Sequence, residues 1–218
     1  LFLILLGIYF IFRNQNENKN ENQNQSKTTE NNYTEENINE SRENNEDVQI
    51  SNSFSLNSTV GDVINDESFD GFGNLIFPVN RNIDPNTTLE DVGSYYTWYN
   101  NINPNKTVEI VNYLKTEADS ENQIFYDIYT DEEKAEDPEK ENTGLFFFRG
   151  KPGEKFAIVS AGGGMVYVGG IADSFPHCLE LAKKGYNAFA IIYRPGYETA
   201  PQDLARAVAF IHEHADEL

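Results

Sequence analysis

The chain of 218 residues is long enough for one domain with additional segments. Its formal net charge of −20 opposes nucleic-acid binding, because the phosphates of a nucleic acid would be repelled rather than neutralised. The lone Cys178 excludes an internal disulfide in this segment and any metal site built from several cysteines. Its helical, apolar setting predicts a packed thiol. We expect no metal, no cofactor and no nucleic-acid partner.

The first segment of the chain, residues 1–12, is entirely apolar, and Arg13 follows it directly. A bilayer-spanning helix needs about 20 apolar residues, so this segment is interpreted as the remainder of a transmembrane anchor or of a signal peptide. No small-x-small cleavage pattern follows it, which favours a single-pass N-terminal anchor with the domain outside the cytoplasm, or secreted. Because the chain begins with Leu1 and Leu218 lies within a helical pattern, we expect it to be a fragment.

The polar tract that follows, residues 13–50, consists almost entirely of Asn, Gln, Glu, Ser and Thr and predicts a disordered linker. Residues 51–120 are expected to form an irregular pre-domain with one helix, capped by Asn105. This pre-domain contains scattered aromatic residues, for which core packing is favoured over a substrate platform. They are Phe69, Phe72, Phe77, Tyr95, Tyr96, Trp98 and Tyr99.

The last segment, residues 121–218, has the pattern of an α/β domain. Apolar and alternating runs predict strands at 123–129, 145–149, 156–161 and 187–193. Helices are predicted at 174–184, ended by Gly185, and from Pro201 onward. The acidic stretch 130–144 is interpreted as a solvated turn. A short turn joins two early strands and helical crossovers join the later ones, which predicts a mixed, mostly parallel sheet with flanking helices.

Three consecutive glycines, Gly162–Gly164, follow the apolar strand 156–161 and are the most informative feature of the sequence. Glycines at the end of a buried strand allow a sharp turn and leave N–H groups facing a ligand, which could be an anion, a phosphate or an oxyanion. A dinucleotide-binding G-x-G-x-x-G pattern fails because its third glycine is replaced by Tyr167. A phosphate-binding P-loop fails because Gly170 and Ile171 replace the Lys and the Ser/Thr.

The segment Ala161–Gly164 follows the third predicted strand and resembles the H-G-G-G-type oxyanion loop of the α/β-hydrolase superfamily, in its bacterial esterase/lipase-like branch. The residues 185–189 and 193–195 resemble that family's fourth strand and its Tyr-Arg end, and 200–207 the helix before its nucleophile strand. The likeness covers residues 121–218. It implies a partial α/β-hydrolase fold, truncated before the nucleophile strand.

The resemblance implies that the intact protein is a serine hydrolase acting on carboxylic esters, of the esterase/lipase or carbohydrate-deacetylase type. The backbone amides of Gly163, Gly164 and Met165 would form the oxyanion hole. The substrate would be a small-molecule or polysaccharide ester. Two alternatives stay open: a peptidase of the same fold, and a non-catalytic surface binding module.

The chain departs from the family pattern in two ways. Ala161 stands where the family often has His, and no G-x-S-x-G occurs, so the nucleophile, the acid and the catalytic His are expected after residue 218. We therefore expect the fragment to be inactive alone and to expose an open sheet edge. The strand-end Ser160 has no expected nucleophile role. His177, His212 and His214 are interpreted as solvated or core residues.

Overall fold

The computed structural model describes the backbone of residues 8–11 and the complete residues 53–96 and 102–218, which belong to one compact unit. The predicted linker 13–50 and the aromatic residues Trp98 and Tyr99 lie outside the described residues. Most of the predicted membrane anchor, 1–12, also lies outside them.

A mixed sheet forms the centre of this unit, and its strands follow the spatial order β1-β4-β5-β3-β2. Four strands come from the domain, and a backbone segment near the N-terminus pairs along one edge. The strands are β1 (Ile8–Ile11), β2 (Phe125–Tyr126), β3 (Gly144–Phe148), β4 (Phe156–Ser160) and β5 (Asn187–Ile192).

The prediction of an α/β architecture is confirmed, but the prediction of a mostly parallel sheet is wrong. Among the described strands, only β4 and β5 run parallel, with Phe156 opposite Asn187 and Ser160 opposite Ile191. The pairs β1–β4, β2–β3 and β3–β5 are antiparallel. A parallel pair needs a long crossover, and the helix Ser174–Lys183 supplies one between β4 and β5, whereas the tight turn before β4 reverses the chain direction.

Five α-helices surround the sheet in the described part of the chain. They are α1 (Val60–Ile64), α2 (Pro104–Asp119), α3 (Asp131–Glu136), α4 (Ser174–Lys183) and α5 (Thr199–Glu213). Every residue of β3 and of β5 is buried, because packing covers both faces of these strands. The unbroken apolar runs of the sequence thus correspond to fully enclosed strands.

Two local predictions differ from the structure. Helix α2 is capped by Asn103, whose side chain accepts a hydrogen bond from the amide of Asn105, and Pro104 occupies the first turn. The acidic stretch 130–144 is not a plain turn, because it contains α3 and a 3-10 helix, Pro138–Asn142. Thr130 and Glu133 form a capping box that stabilises the start of α3.

The aromatic residues before α2 pack into the core, as expected where they are described. Phe69, Phe77 and Tyr96 are buried, and Phe72 and Tyr95 pack against the core from its border. Cys178 is also fully buried, and burial raises the pKa of its thiol well above the usual value, which agrees with the prediction of a packed, unreactive thiol.

Two findings concern the predicted anchor and the predicted open sheet edge. Among residues 8–11, 53–96 and 102–218, no helix is both long enough and apolar enough to cross a bilayer. The backbone of β1 runs antiparallel to β4, so the edge of β4 carries a strand partner where an open edge is expected. The membrane anchor itself stays a prediction.

Candidate functional site

The carboxyl ends of β4 and β5 lie side by side, because these two strands are parallel and in register from Phe156 and Asn187 onward. The glycine loop, residues 161–169, leaves β4 at this edge, and the segment 193–198 leaves β5. Loops at the carboxyl ends of parallel strands are where open α/β sheets bind ligands. The candidate site is therefore built upward from this edge.

The peptide group between Ala161 and Gly162 is held from both sides. The hydroxyl of Tyr193 donates to the carbonyl of Ala161 at 2.5 Å, and the amide of Gly162 donates to Oδ2 of Asp173 at 2.6 Å. Burial raises the pKa of Tyr193 to about 12, and the nearby charge of Asp173 adds to this shift, so its phenol remains a donor at neutral pH. Two buried side chains thus fix the plane of the peptide that opens the loop.

A tight turn follows at the tip of the loop. The amide of Val166 donates to the carbonyl of Gly163 at 3.1 Å, and the central residues Gly164 and Met165 have φ of 65° and 62°. Two positive φ angles in succession are those of a type I′ turn. A Cβ on Gly163 would lie 1.8 Å from the carbonyl oxygen of Tyr167, so only glycine fits there.

The three predicted oxyanion donors are consecutive and have no partner. Within the described part of the chain, the amides of Gly163, Gly164 and Met165 donate no hydrogen bond, whereas the amide of Gly162 is bound to Asp173. Met165 is a left-handed non-glycine residue, a strained state that the surrounding structure must maintain. The loop therefore presents successive free N–H donors on a constrained turn.

The base of the loop is closed by backbone hydrogen bonds. The amide of Gly169 donates to the carbonyl of Gly162 at 3.1 Å. Val168 and Val79 exchange two hydrogen bonds, of 3.2 and 3.3 Å, which attach the loop to the segment before α2. Above this base, Met165 and Val166 expose 40% and 70% of their surface, so an apolar rim faces solvent beside the free amides.

A buried ion pair lies where β5 ends. The Nη2 of Arg194 is 2.7 Å from Oδ1 of Asp203, and the backbone amide of Arg194 donates to Oδ2 of the same carboxylate at 2.7 Å. Asp203 is fully buried on α5 and also accepts a hydrogen bond from Tyr129 at 2.6 Å. The hydrogen bond to Asp203 raises the pKa of Arg194, so the guanidinium stays charged. This network attaches the start of α5 to the end of β5.

Three residues of this edge have no role in the sequence-based prediction: Asp173 is absent from it, while Arg194 and Asp203 lie in the family-like segments 193–195 and 200–207 without an assigned contact. The sequence does contain a signal for Arg194 and Asp203. An Arg directly after a buried strand and an Asp on the apolar face of a helix each need a partner in the interior. The sequence does not show that Asp203 is that partner, nor that Asp173 reaches the amide of Gly162, because neither contact follows from local periodicity.

The other candidate residues do not assemble a reactive group. Ser160 ends β4 within the sheet ladder. His177 exposes 55% of its side chain and lies 3.9 Å from Asp173, while His214 stacks on Phe210 and His212 is exposed. No group of three His, Cys, Asp or Glu side chains suited to a metal ion occurs in the described ranges.

Comparisons with protein-family models, with curated proteins and with solved structures give no match for this chain. The interpretation of the site consequently depends on its own geometry and on the sequence pattern.

Proposed function

We propose that this chain is the amino-terminal part of a serine hydrolase that acts on carboxylic esters, with the glycine loop 161–169 as its oxyanion hole. The observation that carries the proposal is the run of three unpartnered amides at Gly163, Gly164 and Met165, on a turn at the carboxyl end of a parallel strand. Preorganised N–H donors stabilise the negative charge that develops on the carbonyl oxygen of an ester under attack.

The strand arrangement supports the proposal. The loop follows β4, the third strand of the unit 53–218, and the next strand, β5, is parallel to it after a helical crossover. An oxyanion loop of the α/β-hydrolase type is expected in this position. The segments 193–195 and 200–207, which resemble the same family, lie at the same edge and are joined by the Arg194–Asp203 ion pair.

The local chemistry agrees better with an oxyanion than with a phosphate. The carboxylate of Asp173 lies at the root of the loop, and the chain has a net charge of −20. A phosphate with two negative charges would be repelled by these negative charges, and residues 161–169 include no Lys or Arg to offset the repulsion. An ester is neutral until negative charge develops in its transition state. The proposal assigns the nucleophilic serine, the acid and the histidine to sequence after residue 218.

The test is ester turnover by the full-length protein, measured with p-nitrophenyl acetate and butyrate. Gly164→Pro removes one free amide and its left-handed conformation, and we expect a loss of at least a hundredfold in kcat, as for removal of one oxyanion donor. Gly153→Pro is the matched control, because Gly153 also has positive φ, at 75°, with no atom within 4 Å of its Cβ position. It lies before β4, at the opposite end of the strand, so activity should remain.

Labelling with a fluorophosphonate separates the alternatives. A serine hydrolase is labelled covalently at its nucleophile, and ester turnover without cleavage of peptide anilides supports an esterase over a peptidase. A folded full-length protein that is neither labelled nor active would contradict the proposal and support the binding module. Equal loss of activity in the Gly164 and Gly153 variants would also remove the loop from the mechanism.

A further inference from the structure

A pocket of about 530 Å³ lies between the segment 60–83 and Asn142. This volume is in the range of ligand sites and accommodates a sugar unit. Its apolar lining includes the buried Leu75, Phe77 and Val79. Its polar lining is formed by four asparagine side chains and one arginine: Asn74, Asn80, Asn82, Asn142 and Arg81.

The pocket is connected to the glycine loop. Val79, in its wall, exchanges two hydrogen bonds with Val168 of the loop. Asn142 lies two residues before Gly144, which pairs with Ile192 at the carboxyl end of β5. The Val79–Val168 pair therefore connects the wall of the pocket to the loop that carries the free amides.

The four asparagine side chains are available to a ligand. None of them forms a hydrogen bond with another residue of the described ranges, and three of them, Asn74, Asn80 and Asn82, are exposed. Each amide offers two donors and an acceptor, which suits a ligand with many hydroxyl groups. Asn80 has a φ of 61°, a left-handed conformation that asparagine tolerates better than most residues.

Arg81 supplies the only positive charge among the lining residues of the pocket. Its guanidinium lies over the ring of Tyr167, 4.9 Å from the ring centroid. It has no carboxylate within ion-pair distance in the part of the chain that the structure describes, although the chain has 36 acidic and 16 basic residues. A guanidinium that stacks on a ring and is not paired with a carboxylate can still donate its N–H groups to an anionic ligand.

We propose that this pocket binds a sugar carrying a carboxylate, a uronic acid unit, and that it is the subsite for the sugar part of the ester. The asparagines recognise the hydroxyl groups, and Arg81 recognises the carboxylate. A single arginine matches one negative charge; a dianionic phosphate would be opposed by the charge of −20 on the chain. The position of the subsite in an ester substrate rests on the proposed function, whereas the binding of the sugar does not.

The test is calorimetric titration of the full-length protein with glucuronate, glucose and glucose 6-phosphate. We expect glucuronate to bind at least tenfold more tightly than the other two. Arg81→Gln should abolish this preference, while Asn74→Ala combined with Asn82→Ala should weaken glucuronate and glucose alike. Asn86→Ala, an exposed asparagine outside the lining, is the matched control and should leave both affinities unchanged.

The outcomes separate the subsite from the catalytic proposal. Sugar binding that persists in Gly164→Pro, which lacks a loop donor, supports the pocket whatever the enzyme activity is. No binding at 20 mM glucuronate, or equal affinity for glucuronate and glucose, would overturn the inference. If Arg81→Gln strongly lowers the melting temperature, the test uses the asparagine double variant, which is altered only at exposed positions. An unchanged affinity of that variant for glucuronate would then contradict the subsite.

Discussion

The two ends of strand β4 are built differently. Before β4, the turn 151–154 is closed by a hydrogen bond of 3.2 Å from Glu154 to Lys151, and the neutral side chain of Asn187 accepts from the amide of Gly150 at 2.9 Å. After β4, the buried carboxylate of Asp173 and the hydroxyl of Tyr193 hold the first peptide of the loop, and three amides remain free. Both turns contain left-handed glycines, at Gly153 and Gly164.

The locally unfavourable features of these two turns are concentrated after β4. Buried charge, a left-handed Met165 and unpartnered donors all lie at the carboxyl edge of β4 and β5. Each raises the free energy of the folded state unless neighbours compensate for it, and such features concentrate at functional sites. At the opposite edge the turn 151–154 and Asn187 use neutral hydrogen bonds, although Arg149, just before this turn, has a buried Nε without a partner among the described residues. Substitutions at the two ends of β4 should therefore differ in their effects on stability.

The largest effect is expected from breaking the buried ion pair at the carboxyl edge. Asp203→Ala should lower the free energy of unfolding by about 3–5 kcal/mol, because it removes the fully buried partner of Arg194 and leaves the buried guanidinium with only the partly exposed carboxylate of Asp137. Asn187→Ala, at the other edge, should cost about 1–2 kcal/mol, since only neutral hydrogen bonds are lost. Urea denaturation of both variants measures the difference, and equal costs would contradict it.

The second comparison concerns glycines of the loop. Gly163→Ala places a Cβ at 1.8 Å from the carbonyl oxygen of Tyr167 and should cost about 3 kcal/mol, as for a severe overpacking. Gly164→Ala and Gly153→Ala have open space around the Cβ and should each cost about 1 kcal/mol through their positive φ. If Gly163→Ala is as stable as the other two variants, the loop backbone shifts at little cost to relieve the contact with Tyr167.

The third prediction tests whether Asp173 positions the loop. Asp173→Ala removes the acceptor of the Gly162 amide and should lower stability by about 2 kcal/mol, as for a hydrogen bond to a charged group. In the full-length protein it should also reduce ester turnover at least tenfold through kcat. Asp173→Asn retains an acceptor oxygen and should restore part of kcat. A loss of stability with unchanged kcat would leave Asp173 a purely structural residue.

The fourth prediction concerns alkaline pH. Burial raises the pKa of Tyr193 to about 12, above the value of 10.0 of a free tyrosine, so the unfolded state releases this proton first. The stabilisation is complete below about pH 10 and is lost as the pH rises toward 12, at no more than about 1.4 kcal/mol per pH unit. Tyr193→Phe should flatten the fall of stability by that amount in urea titrations between pH 9 and 11.5. Tyr186→Phe, near the amino end of β5, is the control for loss of a hydroxyl; the same flattening there would contradict the assignment.

The smallest effect has the opposite sign. Met165→Gly relieves the left-handed strain, worth about 1–2 kcal/mol, but adds about 0.5–1 kcal/mol of unfolded-state entropy. The net result should be a gain of about 0.5 kcal/mol, visible as a higher denaturation midpoint. The neighbouring Val166→Gly lacks the strain and should only lose stability. A loss in both variants would mean that the left-handed geometry of Met165 carries no strain.

Much of the fold follows from local patterns. The apolar runs around β3, β4 and β5, the helix ended by Gly185 and the glycine turn after β4 lie where the sequence predicts them, within a few residues. The predicted strand 123–129 shortens to Phe125–Tyr126, which are the two residues in register with β3; Ile124 adds one hydrogen bond, from the amide of Phe147. The acidic stretch 130–144 contains α3, whose capping box offsets its weak apolar pattern.

The candidate site was only half predictable. The resemblance to an oxyanion loop points to the amides of Gly163, Gly164 and Met165, whereas no sequence pattern indicates Asp173 or the pocket beside Val79. Loop 161–169 meets Val79 across about 90 residues of chain, and the contact depends on how the pre-domain packs on the sheet. No sequence periodicity encodes such a contact.

The sequence by itself determined the α/β class, the buried strands and a glycine turn suited to binding negative charge. It did so because apolar periodicity, helix-ending glycines and positive φ are properties of a few neighbouring residues. Contacts between distant residues determine that β4 and β5 are the one parallel pair among the described strands, and that Asp203 is the buried partner of Arg194. They also determine that the amide of Gly162 is bound while the next three are free. These outcomes depend on which distant groups come into contact in the interior. Whether a buried charge or donor is energetically tolerable depends on the partner that it finds there.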